Sequence, residues 1–273
     1  MPELPEVETV KESLKKHILN KKIVGVNIYY SNIIEYPTSD QFKERIINQI
    51  IHNIERRGKW LMFELDDYYL LSHLRMEGKY NLTSLNTVIN KHEHISFILD
   101  NNTELRYQDT RKFGRMHLIN KEDILKTKPL NELGLEPWDK NLTIEYLKLK
   151  YKNKKLPIKT VILDQSIIVG IGNIYADEIL FLSKINPLKQ SSKLTKRELK
   201  SIIDNTKNVL DKAILSGGTT IRTYSAPGGI HGRFQQELLV HNQIGKPCTI
   251  CKNEIIKIKV NGRGTYYCPK CQK

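Results

Sequence analysis

The placement of the cysteines constrains this chain more than any other feature. All four lie close to its C-terminal end, as Cys248, Cys251, Cys268 and Cys271, in the pattern C-x2-C-x16-C-x2-C. That spacing falls within the template of four-thiolate zinc sites. Each CxxC turn sets two sulfurs about a tetrahedral edge apart, and two such turns on a hairpin close a four-coordinate site. Two other uses of cysteine fit less well. A pair of disulfides belongs to a secreted domain, whereas the opening MPELPEVETV has neither the basic start nor the apolar stretch of a secretory signal. A thioredoxin-like dithiol takes one CxxC beside a βαβ pattern, not two on a hairpin. The spacing therefore predicts one Zn2+ ion. Because protein thiolates fill all four positions, its role is structural rather than catalytic.

The hairpin is strongly basic. From Lys246 to Lys273 there are seven basic residues, Lys246, Lys252, Lys257, Lys259, Arg263, Lys270 and Lys273, against one acid, Glu254. The run IIKIKV alternates as a half-buried strand does. In the NGRGT that follows, Gly262 and Gly264 are expected to hold Arg263 at the hairpin tip. The imbalance extends to the whole chain, with 44 Lys and Arg against 30 Asp and Glu and a formal net charge of +14. An excess of this size favours a polyanionic partner. Nucleic acid is preferred to an anionic membrane, because no apolar run approaches the roughly 18 residues of a spanning helix and no lipidation motif is present. A soluble, cytoplasmic protein is expected.

A length of 273 residues suits two domains better than one. Val7, Val10, Leu14 and Ile18 recur at spacings of three and four, so Pro5 to Leu19 reads as an amphipathic helix. Short apolar or alternating runs follow (IVGVNIYY, KWLMFELDDYYLLSHLRM, HISFILDNNTELRYQD and RMHLI), separated by Asp66-Asp67 and Asp100-Asn101-Asn102, which predicts hairpins in a β-sandwich or barrel. QFKERIINQI reads as a second helix in this half. Pro129, Gly134 and Pro137 mark a boundary. Beyond it the period turns helical through LTIEYLKLKY, LPIKTVILDQS, NIYADEILFLSKI and TKRELKSIIDNTKNVLDKAIL. In VGIGN, Gly170 and Gly172 make a turn and Asn173 is placed to cap the next helix, whose free N–H groups suit a phosphate. Gly217 to Phe234, rich in glycine and hydroxyls, reads as a long functional loop.

The N-terminus admits two readings. Pro5 and the carboxylates of Glu3, Glu6 and Glu8 suit the positive end of a helix. Alternatively, the terminus is itself a reagent. MPELPEVET, HLRMEG, DTRKFG, GIGNIYADE and the four-cysteine hairpin with GRGT stand in order along the whole chain, and together they resemble the bacterial formamidopyrimidine-DNA glycosylases. The resemblance implies an α+β fold: an N-terminal β-sandwich flanked by helices (1–128), a helix–two-turn–helix domain (138–225) and a zinc finger (239–273), with DNA in the cleft between the halves. It implies removal of oxidised purines, 8-oxoguanine and formamidopyrimidines, followed by strand scission on both sides of the abasic sugar. The expected partner is double-stranded DNA carrying oxidised bases or abasic sites, and the expected state is a monomer.

By the same resemblance, Pro2 is the nucleophile once Met1 is removed. An α-amine titrates near 7.7–8.0, so an appreciable neutral fraction exists at pH 7. A secondary amine bonded to the sugar C1′ gives an iminium that serves as an electron sink. Glu3 matches the general acid at the ring oxygen, Glu6 helps hold the site, and Glu8 is left to the helix dipole. Lys59 matches the family's active-site lysine. Arg263 matches the fingertip arginine that grips phosphates and assists δ-elimination, for which a guanidinium's electrostatics suit it better than its acidity. The damaged nucleotide must be flipped out. Met76, Arg111 and Phe113 match the trio that fills the void, although Met76 and Phe113 would otherwise be read as core. Glu77 is placed to touch the extruded base. His92, Arg111, Lys154, Asn173 and Arg263 are the expected phosphate contacts. Thr219, Thr220, Arg222, Thr223 and Tyr224 are donors on the closing loop. One departure stands out: where the family has a tyrosine before the finger, this chain reads Val240-His241-Asn242, so His241 replaces a hydroxyl donor.

Two other functions fit part of the pattern. An endonuclease VIII-like enzyme prefers oxidised pyrimidines and begins PEGPE, but Leu4 stands here at the position of that glycine. A zinc-ribbon DNA-binding protein without catalysis accounts for charge and cysteines and leaves the position of Pro2 unexplained.

Overall fold

The computed structural model describes residues 1–219 and 232–273. The chain divides into two compact units. One comprises Met1–Asn131 with Thr219 and Gly232, the other Glu132–Gly218 with Arg233–Lys273.

In the first unit, α1 (Leu4–Ile18) buries Leu4, Val7, Val10, Leu14 and Ile18 along one stripe, as the 3.6-residue period predicts. The chain continues through β1 (Ile23–Ile28), β2 (Ile34–Tyr36), α2 (Ser39–Ile46), β3 (Asn53–Arg57), β4 (Trp60–Glu64), β5 (Tyr68–His73), β6 (Lys79–Ser84), β7 (Glu93–Leu99), β8 (Thr103–Gln108) and β9 (Arg115–Asn120). The strands form two sheets, ordered β1-β7-β8-β6 and β2-β9-β5-β4-β3. Both feed one core. Val26, Phe97, Leu105 and Tyr107 from the first sheet join Ile54, Leu61, Phe63, Leu70, Met116 and Leu118 from the second, with Val7, Val10 and Leu14 of α1. This is the expected sandwich with flanking helices.

Local differences from the sequence reading have local causes. α2 begins early, because Thr38 accepts the Gln41 N–H. It ends at Ile46, before Asn48 turns through positive φ. NIERR and KYNLTS carry too few apolar residues to announce strands, yet they pair as β3 with β4 and as β6 with β8.

The second unit holds α3 (Ile144–Tyr151), α4 (Ile158–Val161), α5 (Asn173–Leu182) and α6 (Lys196–Leu215), followed by the hairpin of β10 (Ile256–Val260) and β11 (Arg263–Tyr267). A Thr195–Glu198 capping box opens α6, which buries Leu199, Ile202, Ile203, Val209 and Leu210. LPIKTVILDQS forms one helical turn rather than a full helix. Gln165 draws the rest into a loop by donating to Leu163 O and Ile171 O and accepting from Gly170 N. Phe181 of α5 packs with Val240, Cys248, Ile255, Tyr266 and Cys268, so helix and hairpin share a core. Among the described residues, no helix is long and apolar enough to cross a membrane.

Candidate active site and DNA interface

Pro2 is buried at the start of α1. Glu3 and Glu6 beside it are 2% and 1% exposed, where carboxylates are rare unless they are held. Glu6 Oε2 accepts the Glu3 N–H at 2.8 Å, within a capping box. Its Oε1 accepts from Thr219 twice, from N at 2.8 Å and from Oγ1 at 3.0 Å. Both oxygens of Glu6 are thus committed to positioning. Glu8 does more than face the helix dipole: with Lys11, it binds Arg56 of β3 and pins α1 to the sheet. Those cations hold its carboxyl below the usual range, against the opposing effect of burial.

Lys59 lies in the tight turn between β3 and β4 and is 6% exposed. The terminal amine is that of Met1, and the Pro2 nitrogen is its amide. Burial lowers the Met1 amine's pKa from the ordinary 8.0. Glu3, Glu6 and Glu77 act against that shift, and Lys59 adds to it.

Two loops pass between the sheets, one from β5 to β6 and the other from β8 to β9. Leu74 to Gly78 closes with Gly78 N donating to Leu74 O at 2.9 Å and carries Met76 and Glu77, both partly exposed. Asp109 to Gly114 carries Arg111 and Phe113. Phe113 is 46% exposed, so it is not the core residue that its type would suggest. The Arg111 guanidinium stacks 4.7 Å from its ring centroid. His92 is half-buried, and its carbonyl accepts from Asp109 N. Sequence reasoning missed His73. Its Nδ1 accepts from Arg75 N, its ring meets Trp60 edge-on, and burial with Arg75 and Lys59 pulls its pKa down to about 3.

In the second unit, Asn173 is not the cap of α5; Gly172 takes that position. Asn173 instead donates from Nδ2 to Gly264 O at 2.9 Å, tying the helix start to β11 beside Arg263. Arg263 is exposed and stands one residue past the Asn261-Gly262 turn, with Gly262 at φ 80°. The two residues of the tip are therefore Asn261 and Gly262, not Arg263. Lys154 is ion-paired to Asp164 at 3.0 Å and is partly exposed. His241 Nδ1 lies 2.7 Å from Asp177 Oδ2, and its ring meets Tyr266 edge-on. Asp177 also binds buried Lys159 at 2.6 Å and accepts from Tyr266 N. Glu178 accepts the N–H groups of Leu239, Val240 and His241, while burial pushes its carboxyl up. Asp177 is the aspartate of GIGNIYADE, but its spacing carried no sign of these partners, and no motif pointed to Lys159. Of the expected loop donors, Thr219 is buried against Glu6, and Thr220, Arg222, Thr223 and Tyr224 lie outside the described residues.

The sulfurs of Cys248, Cys251, Cys268 and Cys271 all lie within 4.8 Å of one another. A tetrahedral site with Zn–S of about 2.3 Å has sulfur edges of about 3.8 Å, so the four fit one zinc ion. Backbone bonds shape the knuckles: Cys248 N donates to Asn253 O and Lys252 N to Cys248 O. Gln272 accepts from Cys268 N and donates to Ile185 O, fastening the second knuckle to the helical part.

Three family models match consecutive parts of the chain. They are the formamidopyrimidine-DNA glycosylase N-terminal domain at 1–116, the H2TH domain of that glycosylase at 133–225, and the zinc finger found in FPG and IleRS at 245–273. The formamidopyrimidine-DNA glycosylase of Oceanobacillus iheyensis is 50% identical over 273 residues, covering 100% of this chain and 98% of the relative. A variant Lactococcus lactis FPG in complex with DNA containing Fapy-dG superposes with a TM-score of 0.94 at 40% identity, covering 100% of both chains. Wild-type Lactococcus lactis FPG in complex with oxidised-pyrimidine DNA gives 0.92 at 39%, again over 100% of both.

Proposed function

This chain belongs to the formamidopyrimidine-DNA glycosylase family, and from that premise we propose a bifunctional repair enzyme that excises oxidised purines from duplex DNA and then nicks the strand by β- and δ-elimination. The observation that carries this reading is the buried N-terminus, where Pro2 lies beside Glu3 and Glu6 at the start of α1.

With Met1 removed, the Pro2 nitrogen is a secondary amine, and a buried site favours its neutral form. Its lone pair forms the N–C1′ bond as the glycosidic electrons leave with the base, and the proton lost from the nitrogen neutralises the departing base. Glu3 supplies the proton that opens the sugar ring at its ring oxygen. The resulting iminium acidifies C2′, so loss of that proton expels the 3′ phosphate; a second elimination expels the 5′ phosphate. Glu6 fixes the Glu3 backbone and Thr219. Lys59 assists at the base and the elimination step, and Arg263 stabilises the departing phosphate. Met76, Arg111 and Phe113 fill the void left by the flipped nucleotide, and Glu77 touches that base. His92, Lys154, Asn173 and His241 bind the backbone, as does Tyr224 of the loop. His241, with Nδ1 turned to Asp177, offers Nε2 in place of the family's tyrosine hydroxyl. The zinc ion stiffens the hairpin that carries Arg263 and takes no part in bond making. We take the enzyme to act as a cytoplasmic monomer with the three-part organisation 1–128, 138–225 and 239–273. The complex of the Lactococcus lactis protein with an oxidised pyrimidine supports such lesions as further substrates.

Borohydride reduction during turnover tests the mechanism. Processed protein should be trapped covalently on abasic-site DNA, Pro2→Gly should lose most of the adduct, and protein retaining Met1 should form none. An undiminished adduct with Met1 in place would falsify the terminal-amine assignment. Duplexes with 8-oxoguanine opposite cytosine and thymine glycol opposite adenine, compared by excision rate, separate the two substrate classes.

A further inference from the structure

Asp109 is fully buried, although no cation is paired with it in the described contacts, and it spends its carboxylate on backbone. Oδ1 accepts from Arg111 N at 3.0 Å, and Oδ2 accepts from Phe113 N at 2.9 Å and Gly114 N at 2.8 Å. Three N–H groups of one six-residue loop thus converge on one side chain. The Asp109 backbone is held as well: its N–H donates to His92 O at 2.9 Å, and its carbonyl lies 2.7 Å from His94 Nε2. The Tyr107 hydroxyl, also fully buried, lies 3.5 Å from Asp109 Oδ2. It fills the space over two glycines from different loops. A Cβ added at Gly114, in the Arg111–Phe113 loop, or at Gly78, at the end of the Met76 loop, would overlap it. Glycine at both positions lets the two loops close onto one phenol.

We infer that Asp109 and Tyr107 form a buried post that sets Met76, Arg111, Phe113 and His92 in one fixed relation, so that the two loops enter the base stack as a single wedge. The inference rests on the wedge role proposed above for Met76, Arg111 and Phe113. Asp109 and Tyr107 themselves are positioning residues. Asparagine cannot replace Asp109, because its NH2 group would face N–H donors where an oxygen now accepts.

The test compares a lesion that must be extruded with a site that has no base to extrude. On 8-oxoguanine paired with cytosine, Asp109→Asn should slow single-turnover excision by about tenfold, since base flipping meets its full cost there. It should also delay the rise of 2-aminopurine fluorescence that reports unstacking beside the lesion. Borohydride trapping on preformed abasic DNA should stay within about threefold of the parent, because the flipping cost is least at such a site. Tyr107→Phe, which keeps the ring and removes the hydroxyl, should show the same selectivity at smaller size, and it carries the test if Asp109→Asn does not fold. Equal losses on both substrates, or none on either, would overturn the post. A slowed Phe113→Ala beside a parental Asp109→Asn rejects the post alone. A Phe113→Ala at the parental rate rejects the wedge reading itself.

Discussion

Replacing Lys159 with methionine removes a charge from the interior and keeps most of the length of the side chain. Lys159 and Asp177 are both 0% exposed, with Nζ 2.6 Å from Oδ1. The same ammonium donates to Asn173 O at 2.9 Å, while Asp177 Oδ2 meets the His241 ring and Tyr266 N. Removing one member of such a buried pair costs about 3–5 kcal/mol, because the other charge stays out of water without its counter-charge. Lys200 and Asp204 on α6 provide the control. They are 2.7 Å apart, nearly the same distance, but their side chains are 65% and 52% exposed. Lys200→Met should cost no more than about 0.5 kcal/mol. Distance alone ranks the two pairs together; desolvation separates them. The chain has two tryptophans, Trp60 in the first unit and Trp138 in the second. In a Trp60→Phe background, urea unfolding followed by fluorescence therefore reports the second unit. With a slope of about 2 kcal/mol per molar, Lys159→Met should lower the midpoint by roughly 2 M. A loss below about 1 kcal/mol, or one no larger than that of Lys200→Met, would refute the view that this pair locks α5, β11 and the His241 turn together.

Two further outcomes follow from single groups. Glu6→Gln leaves one side-chain acceptor where two oxygens now serve Glu3 and Thr219. It should cost about 1–3 kcal/mol and lower the urea midpoint reported by Trp60 in a Trp138→Phe background, without changing that of the second unit; an unchanged first-unit midpoint would count against the anchor. His73 has a folded-state pKa of about 3, below its ordinary 6.5. Between these values the unfolded chain binds the proton and the folded one does not, so stability falls as pH drops through this window, by at most about 1.4 kcal/mol per unit. His73→Gln should flatten that part of a stability–pH curve, and an unchanged slope would show that His73 is not kept neutral by the fold.

The features that residue spacing alone determined are those closed within a few residues of chain. The zinc knuckles, the α1 stripe of Val7, Val10 and Leu14, the β4–β5 and β7–β8 hairpins and the Thr195 helix start all arise from local backbone geometry, which a residue pattern encodes directly. The chemical types at the terminus, a second-position proline with Glu3 and Glu6, were equally legible. Tertiary structure decided which distant groups those residues meet. Glu6 finds Thr219 across 213 positions, and Asn173 gives its side chain to Gly264 rather than to its own helix. Asp177 gathers Lys159, His241 and Tyr266, while Asp109 and Tyr107 draw two loops onto one point. A carboxylate in a sequence carries no sign of whether it will be buried. Burial and partner arise together, when non-local elements pack and an unpaired buried group becomes too costly to leave.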